Sequence, residues 1–211
     1  TKVGRKRGEK NTHEAECLPF FNLKEGNPQV EYKPFVLFVG RIEKQKGLMS
    51  LVKAFQNTDY NLKIIGFSND GYEDELKAYL NGKRHHIEFL GKMNFEQIVP
   101  YLKSCLCTVV PSEWYDNFPN VILESFAYKK AVVATNFGSL PELVRNGETG
   151  LTFNYQDVED FRSKIAYFFA HPTEAKAMGE NAFQNVQTCF SPAEHYNRLM
   201  KLFNDITGKQ K

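Results

Sequence analysis

Phe35-Val36-Leu37-Phe38-Val39-Gly40-Arg41-Ile42-Glu43-Lys44-Gln45-Lys46-Gly47-Leu48-Met49-Ser50-Leu51-Val52-Lys53-Ala54-Phe55 is the stretch that decides the fold. It opens with five unbroken apolar residues, the texture of a short strand buried on both faces. A loop bracketed by glycines and rich in charge follows. Apolar residues then recur at 48, 51, 52 and 55, which lie on one face of a helix. Strand, polar loop and amphipathic helix form the repeating half of a βαβ unit.

The same alternation continues downstream. Leu62–Gly66, Ile87–Gly91, Leu106–Val110, Ala131–Ala134 and Gly150–Phe153 read as further strands. Glu73–Leu80, Phe95–Leu102 (with Pro100 placed to kink it), Pro119–Tyr128 and Leu140–Val144 read as the helices between them. Val158–Phe169, Thr173–Val186 and Pro192–Ile206 close the chain as helices, the last opened by the capping box Ser191-Pro192-Ala193-Glu194. The expected fold is therefore α/β, a doubly wound, mostly parallel, Rossmann-like sheet covered on both faces. Residues 1–34, broken by Pro19, Gly26, Pro28 and Pro34, read as a polar lead-in. Residues 35–211 read as the domain proper with its C-terminal helices.

Composition narrows the class. The chain has 211 residues, 42% hydrophobic and 25% charged, with a formal net charge of +2. That is globular and carries no field strong enough to draw the protein to nucleic acid. Five bases against one acid over Lys2–Lys10 read as a solvated terminus. Cys17, Cys105, Cys107 and Cys189 form no C-x-x-C pair, so reduced thiols and a cytoplasmic chain are expected, with Cys105 and Cys107 on one face of a strand. No signal peptide or membrane-spanning run is evident. The chain does not begin with Met, which points to a fragment.

In a doubly wound sheet, ligands bind beyond the carboxyl ends of the strands. The charges and glycines that collect there are therefore the candidates. Neither G-x-x-x-x-G-K-[ST] nor G-x-G-x-x-G is present. Instead Arg41 and Lys46, on the loop after the first strand, can converge on an anion: one offers a planar fork, the other a compact charge. Equally, both can be ordinary surface cations. In Asp116-Asn117-Phe118-Pro119-Asn120-Val121-Ile122-Leu123-Glu124, Asp116 or Asn117 can cap a helix whose positive end suits a diphosphate. Asn120 and Glu124 share one face of it. A carboxylate there suits a pair of vicinal hydroxyls, and Glu124 lies in too apolar a setting to be merely solvated. No His/Cys/Asp/Glu spacing argues for a metal, and no D-x-D motif is present.

Together these residues resemble the C-terminal domain of the GT-B glycosyltransferases of family 4. Gly40, Arg41, Lys46 and Gly47 match G-R-x-x-x-x-K-G. Pro111-Ser112 precedes an E-x7-E segment whose second acid is Glu124, while its first falls on Asp116, a shorter acid than the family's Glu. Gly138-Ser139-Leu140-Pro141-Glu142 and Asn146-Gly147-Glu148-Thr149-Gly150 match the later turns, and Leu18-Pro19-Phe20-Phe21-Asn22 matches more weakly. Gly66-Phe67-Ser68 lacks the second glycine common after the second strand. The resemblance implies a retaining enzyme that needs no metal or cofactor and takes a UDP- or GDP-sugar as substrate. Arg41 and Lys46 would hold the leaving diphosphate and Glu124 the ribose. Asp116 and the backbone of Asn117, Phe118, Pro119, Asn120 and Val121 would face the sugar. Gly40 would join the donor contacts, and Ile87, Gly91, Lys92 and Met93 would line the base pocket. It also implies an N-terminal acceptor-binding domain as partner, without which transfer would be poor, and leaves room for peripheral membrane association of the full enzyme. The rival readings are a non-catalytic nucleotide-binding module, a sugar-nucleotide epimerase or phosphorylase, and a pure interaction domain.

Overall fold

The computed structural model describes residues 31–189 and 192–208. Six strands form one sheet: β1 (Phe35–Val39), β2 (Asn61–Ile65), β3 (His86–Gly91), β4 (Cys107–Val110), β5 (Val132–Thr135) and β6 (Gly150–Phe153). Every pairing is parallel, and the order is β3-β2-β1-β4-β5-β6. This is a Rossmann-like sheet, and its topological switch point lies between β1 and β4. Alternate residues feed the two faces. Val36, Phe38, Leu62, Ile64, Cys107 and Val109 pack under α1 (Leu48–Phe55), α2 (Tyr72–Leu80) and α6 (Val158–Ala170). On the other face, Phe35, Leu37 and Ile65 pack under α3 (Phe95–Ser104), and Val110, Val132 and Ala134 under α4 (Asn120–Ala127) and α5 (Leu140–Leu143). The long α7 (Pro172–Cys189) contributes Ala175 and Met178 to the first face and Ala182 and Val186 to the second. The chain closes with α8 (Pro192–Thr207).

Within this frame, α3 runs through Pro100 without ending. The thiols behave differently from expectation. Cys105 and Cys107 are free and buried, but Cys105 caps the end of α3 and joins one face, while Cys107 begins β4 and joins the other. The helix turn takes up the residue that would have kept them in strand alternation. Cys17, the Leu18–Asn22 match, the basic Lys2–Lys10 stretch and the Ser191 capping box lie outside the described residues.

The junction after α4 shows why a charged sequence is buried. The amide of Lys130 donates to the Ser125 carbonyl (2.9 Å) and that of Lys129 to Phe126 (3.0 Å), with Lys129 at φ 58°. That is a Schellman turn with lysine at its left-handed position, where glycine is usual. The turn drives Lys130 inward until it is fully buried. Its ammonium donates to the Glu31 carbonyl (3.0 Å) and sits 3.5 Å from the centre of the Tyr32 ring, while the Tyr32 hydroxyl donates to the Lys129 carbonyl (2.8 Å). The amides of Glu31 and Lys33 donate to Lys103 and Ser104. The end of the lead-in is thus fastened to the amino edge of the sheet. At the far edge strand, the Gly147 amide donates to Gly150 (2.8 Å), and Asn146 Oδ1 accepts from the Thr152 amide (3.0 Å).

Burial pulls the Lys130 ammonium from its ordinary 10.5 down to about 8. Between these values the unfolded chain holds a proton that the folded chain has given up, so this group adds stability as pH rises. Urea unfolding of the parent and of Lys130→Met at pH 7.5 and pH 10 should therefore show the parent gaining on the variant at the higher pH. A difference that stays flat would mean the ammonium titrates alike in both states.

Candidate functional site

Two loops meet at the carboxyl edge over the switch point. The β1–α1 loop contains a single 3-10 turn, Lys44–Lys46, ended by Gly47 at φ 70°. A Cβ on Gly47 would lie 1.8 Å from the Pro111 carbonyl oxygen, so only glycine permits this contact with the β4–α4 loop. Beside it the Glu113 amide donates to the Gln45 carbonyl (2.8 Å), and the Ser50 hydroxyl to the Glu113 carboxylate (2.5 Å). Gly66 plays a similar part behind the loop, where a Cβ would lie 1.9 Å from the Gly40 carbonyl oxygen.

A cavity of about 380 Å³ opens between these loops. Phe38, Val39, Val109 and Val110 are among its lining residues, Gly40, Arg41, Lys46, Ser112 and Asp116 line its polar side, and Pro119, Asn120 and Val121 bring in the start of α4. Lys46 Nζ donates to both carboxylate oxygens of Asp116, each at 2.8 Å, in a pair whose side chains are only 23% and 19% exposed. Ser112 donates to Asp116 Oδ2 (2.7 Å), and the Ser139 hydroxyl to the Asp116 carbonyl (2.6 Å), so Asp116 is held at both its carboxylate and its backbone. Asp116 does not cap α4. Pro119 occupies the cap position and no side chain bonds there, because Lys46 and Ser112 have already taken the carboxylate. Arg41 pairs with Glu43 through one nitrogen (2.7 Å) and remains 57% exposed. Its remaining donors make no bond among the described residues and can meet an anion.

Of the residues read from sequence, Gly40, Arg41, Lys46, Asp116, Pro119, Asn120 and Val121 converge on this cavity. Asn117 and Phe118 form the exposed link between Asp116 and Pro119. Glu124 lies one turn further along α4 and is not among the lining residues. It is partly buried, its carboxylate makes no hydrogen bond or ion pair among the described residues, and burial raises its carboxyl above the usual range. The candidate base-pocket residues are not brought to this cavity. Ile87 is buried in the core under α1 and α2. Gly91 accepts from the Gly66 amide (3.0 Å), Lys92 lies 4.7 Å from the Phe67 ring centre, and Met93 packs on the α3 side. Ser112, Glu43 and Ser139 have roles that sequence reasoning did not assign. Small hydroxyls next to a strand end were the signal for Ser112 and Ser139, since such groups orient neighbouring carboxylates and turns.

The chain belongs to the glycosyl transferases group 1 family, whose family model matches residues 20–185. It is 34% identical over 149 residues to an uncharacterized glycosyltransferase of Methanocaldococcus jannaschii, covering 70% of this chain and 41% of that protein. It is 30% identical to the lipopolysaccharide core biosynthesis mannosyltransferase LpcC of Rhizobium leguminosarum, covering 80% and 50%. Among solved structures it resembles sucrose-phosphate synthase from Thermosynechococcus elongatus, with a TM-score of 0.71, 27% identity, and 87% and 47% coverage. The chain thus spans half or less of the length of these proteins, and its fold is that of one half of a GT-B glycosyltransferase.

Because Glu124 carries its charge at a cost, Glu124→Gln should raise stability at pH 7. A carboxyl with a raised folded-state pKa stabilises the fold while protonated and loses that contribution as pH climbs through its range. The variant's gain, followed by thermal melts, should therefore shrink as the pH is lowered. A variant less stable than the parent at pH 7 would show that the carboxylate has a favourable partner in the fold.

Proposed function

We propose that this chain is the donor-binding domain of a retaining, metal-independent glycosyltransferase. The enzyme would move a hexosyl group from a UDP- or GDP-sugar to a glycan, lipid or other acceptor. The observation that carries this reading is the cavity at the switch point, where Arg41, Lys46 and the start of α4 meet in a chain of the group 1 family. In the proposed complex Arg41 binds the diphosphate bidentately. Lys46, held by Asp116, supplies a second positive charge, and the α4 dipole adds a third element as negative charge grows on the leaving group. The wall of the cavity that carries Asp116 faces the transferred sugar, with Asn117 and Phe118 beside it, and Glu124 accepts from the ribose hydroxyls. The base pocket would use Gly91, Lys92 and Met93. Ile87, a core residue, would act only by supporting that strand.

The similarity to a mannosyltransferase and to sucrose-phosphate synthase supports sugar transfer as the reaction class. The acceptor is proposed to bind mainly to a partner domain, so this chain alone binds donor and transfers poorly. Among the described residues no helix is long and apolar enough to cross a membrane. A cytoplasmic protein, with or without peripheral membrane contact, fits the reading. The alternative is a non-catalytic nucleotide-binding module. What favours it is Asp116: a shorter acid than the family's Glu, with its carboxylate engaged by Lys46 and Ser112.

Calorimetry with UDP, GDP and ADP and their sugars tests the reading directly. One of these nucleotides should bind, and Arg41→Ala should weaken it by about 1.5–3 kcal/mol, roughly tenfold to a hundredfold, as expected for a charge-assisted bond. Absence of binding by every nucleotide, or binding indifferent to Arg41→Ala, would defeat it.

A further inference from the structure

A second cavity, of about 420 Å³, lies on the other side of the same β1–α1 loop. Its lining is Glu43, Lys44 and Gln45 from that loop, Asn69 and Asp70 from the β2–α2 loop, and Trp114 from the β4–α4 loop. Trp114 is the only tryptophan in the chain and is 60% exposed, so the core has no use for it. The polar groups are carboxylates and amides rather than a basic cluster. Two acids against one lysine make this cavity unfavourable for a second phosphate. An exposed indole amid planar polar groups suits a neutral polyol: the ring takes the C–H face of a sugar, and the amides and carboxylates take its hydroxyls. Several of these groups are already held in place. Asp70 accepts from the Ser68 hydroxyl (2.7 Å) and the Tyr72 amide (3.2 Å), and Glu43 accepts from Gln45 (2.7 Å). A ligand would therefore meet oriented acceptors rather than mobile ones.

We propose that the Trp114 cavity is a carbohydrate subsite, which holds a sugar unit of a glycan acceptor one loop away from the donor cavity. The link to an acceptor rests on the proposed glycosyltransferase function; sugar binding itself does not. The 3-10 turn Lys44–Lys46 separates the two cavities, with Lys44 and Gln45 facing one and Lys46 the other. Occupation of the subsite thus bears on the loop that carries Lys46.

The single tryptophan makes the test site-specific, because fluorescence excited selectively at tryptophan, apart from the ten tyrosines, reports on Trp114. Mannotriose, maltotriose and chitotriose are titrated in turn, with glycerol as the non-sugar polyol control. At least one trisaccharide should give a saturable change that glycerol does not. Asn69→Ala keeps the fluorophore and should weaken the apparent affinity roughly tenfold, as expected when a hydrogen-bonding group is lost from a sugar site. Saturation-transfer NMR on Trp114→Ala should show the same ligand's signal lost. No saturable response from any trisaccharide, a response that glycerol reproduces, or NMR binding that survives Trp114→Ala overturns the proposal. In those cases nucleotide binding in calorimetry would still stand. Glycan binding in a chain that takes up no nucleotide would keep the subsite and defeat the donor-site reading.

Discussion

The approach of Gly47 to the Pro111 carbonyl brings together two loops that the strand order alone would leave diverging. At a switch point, the crossovers from β1 and β4 leave on opposite faces of the sheet and open a crevice. In this protein the β1–α1 loop leans back across the crevice, and a Cβ 1.8 Å from a carbonyl oxygen would forbid that. Once the backbones touch, Glu113 can bond Gln45, and Lys46 can reach Asp116, 70 residues away in sequence. The cavity, its paired charge and the separation between the two pockets all follow from that contact. The Lys-Gly pair at 46 and 47 joins a chemical requirement to a steric one, which explains why the two residues sit side by side.

Much of this was legible from the amino acids. All six strands were read within a residue or so of their ends, because a parallel sheet buried on both faces writes its strands as largely apolar runs such as Phe35–Val39. The edge that carries the charges was legible for the same reason. Tertiary choices were not. Asp116 looked like a helix cap because acids before a helix usually are, yet Lys46 and Ser112 compete for the same oxygens and win with a bidentate, mostly buried pair. Tyr128-Lys129-Lys130 has the composition of a surface turn, and only the Schellman geometry with the Tyr32 anchor turns Lys130 inward. Ile87 lies on β3, where parity of burial sends its side chain to the core.

Several polar groups in this domain are placed where folding alone would not put them. The Glu124 carboxylate is partly buried with no hydrogen bond or ion pair among the described residues, and the Thr135 hydroxyl, at the carboxyl end of β5, is the one buried side-chain polar atom there without a partner. By contrast, the hydroxyls of Thr108 and Ser125 are satisfied in series: Thr108 donates to Ser125 (2.7 Å), which donates to the Val121 carbonyl (2.6 Å) and pins α4 to β4. The helix that carries Glu124 is thus fixed rigidly while Glu124 itself is left open. Among the described residues the Thr135 hydroxyl thus stands out on a scaffold whose other buried side-chain polar atoms are satisfied.

The turn Arg145–Thr149 has a consequence for assembly rather than for chemistry. A parallel sheet ends in edge strands whose unused amides and carbonyls can template another strand. On β6 two of those outward groups are occupied within the same chain: the Gly150 carbonyl by the Gly147 amide and the Thr152 amide by the Asn146 side chain. The turn works as a selvedge, leaving a neighbouring strand fewer open groups at that border. The turn that helps to mark the family thus also covers part of the open border of β6.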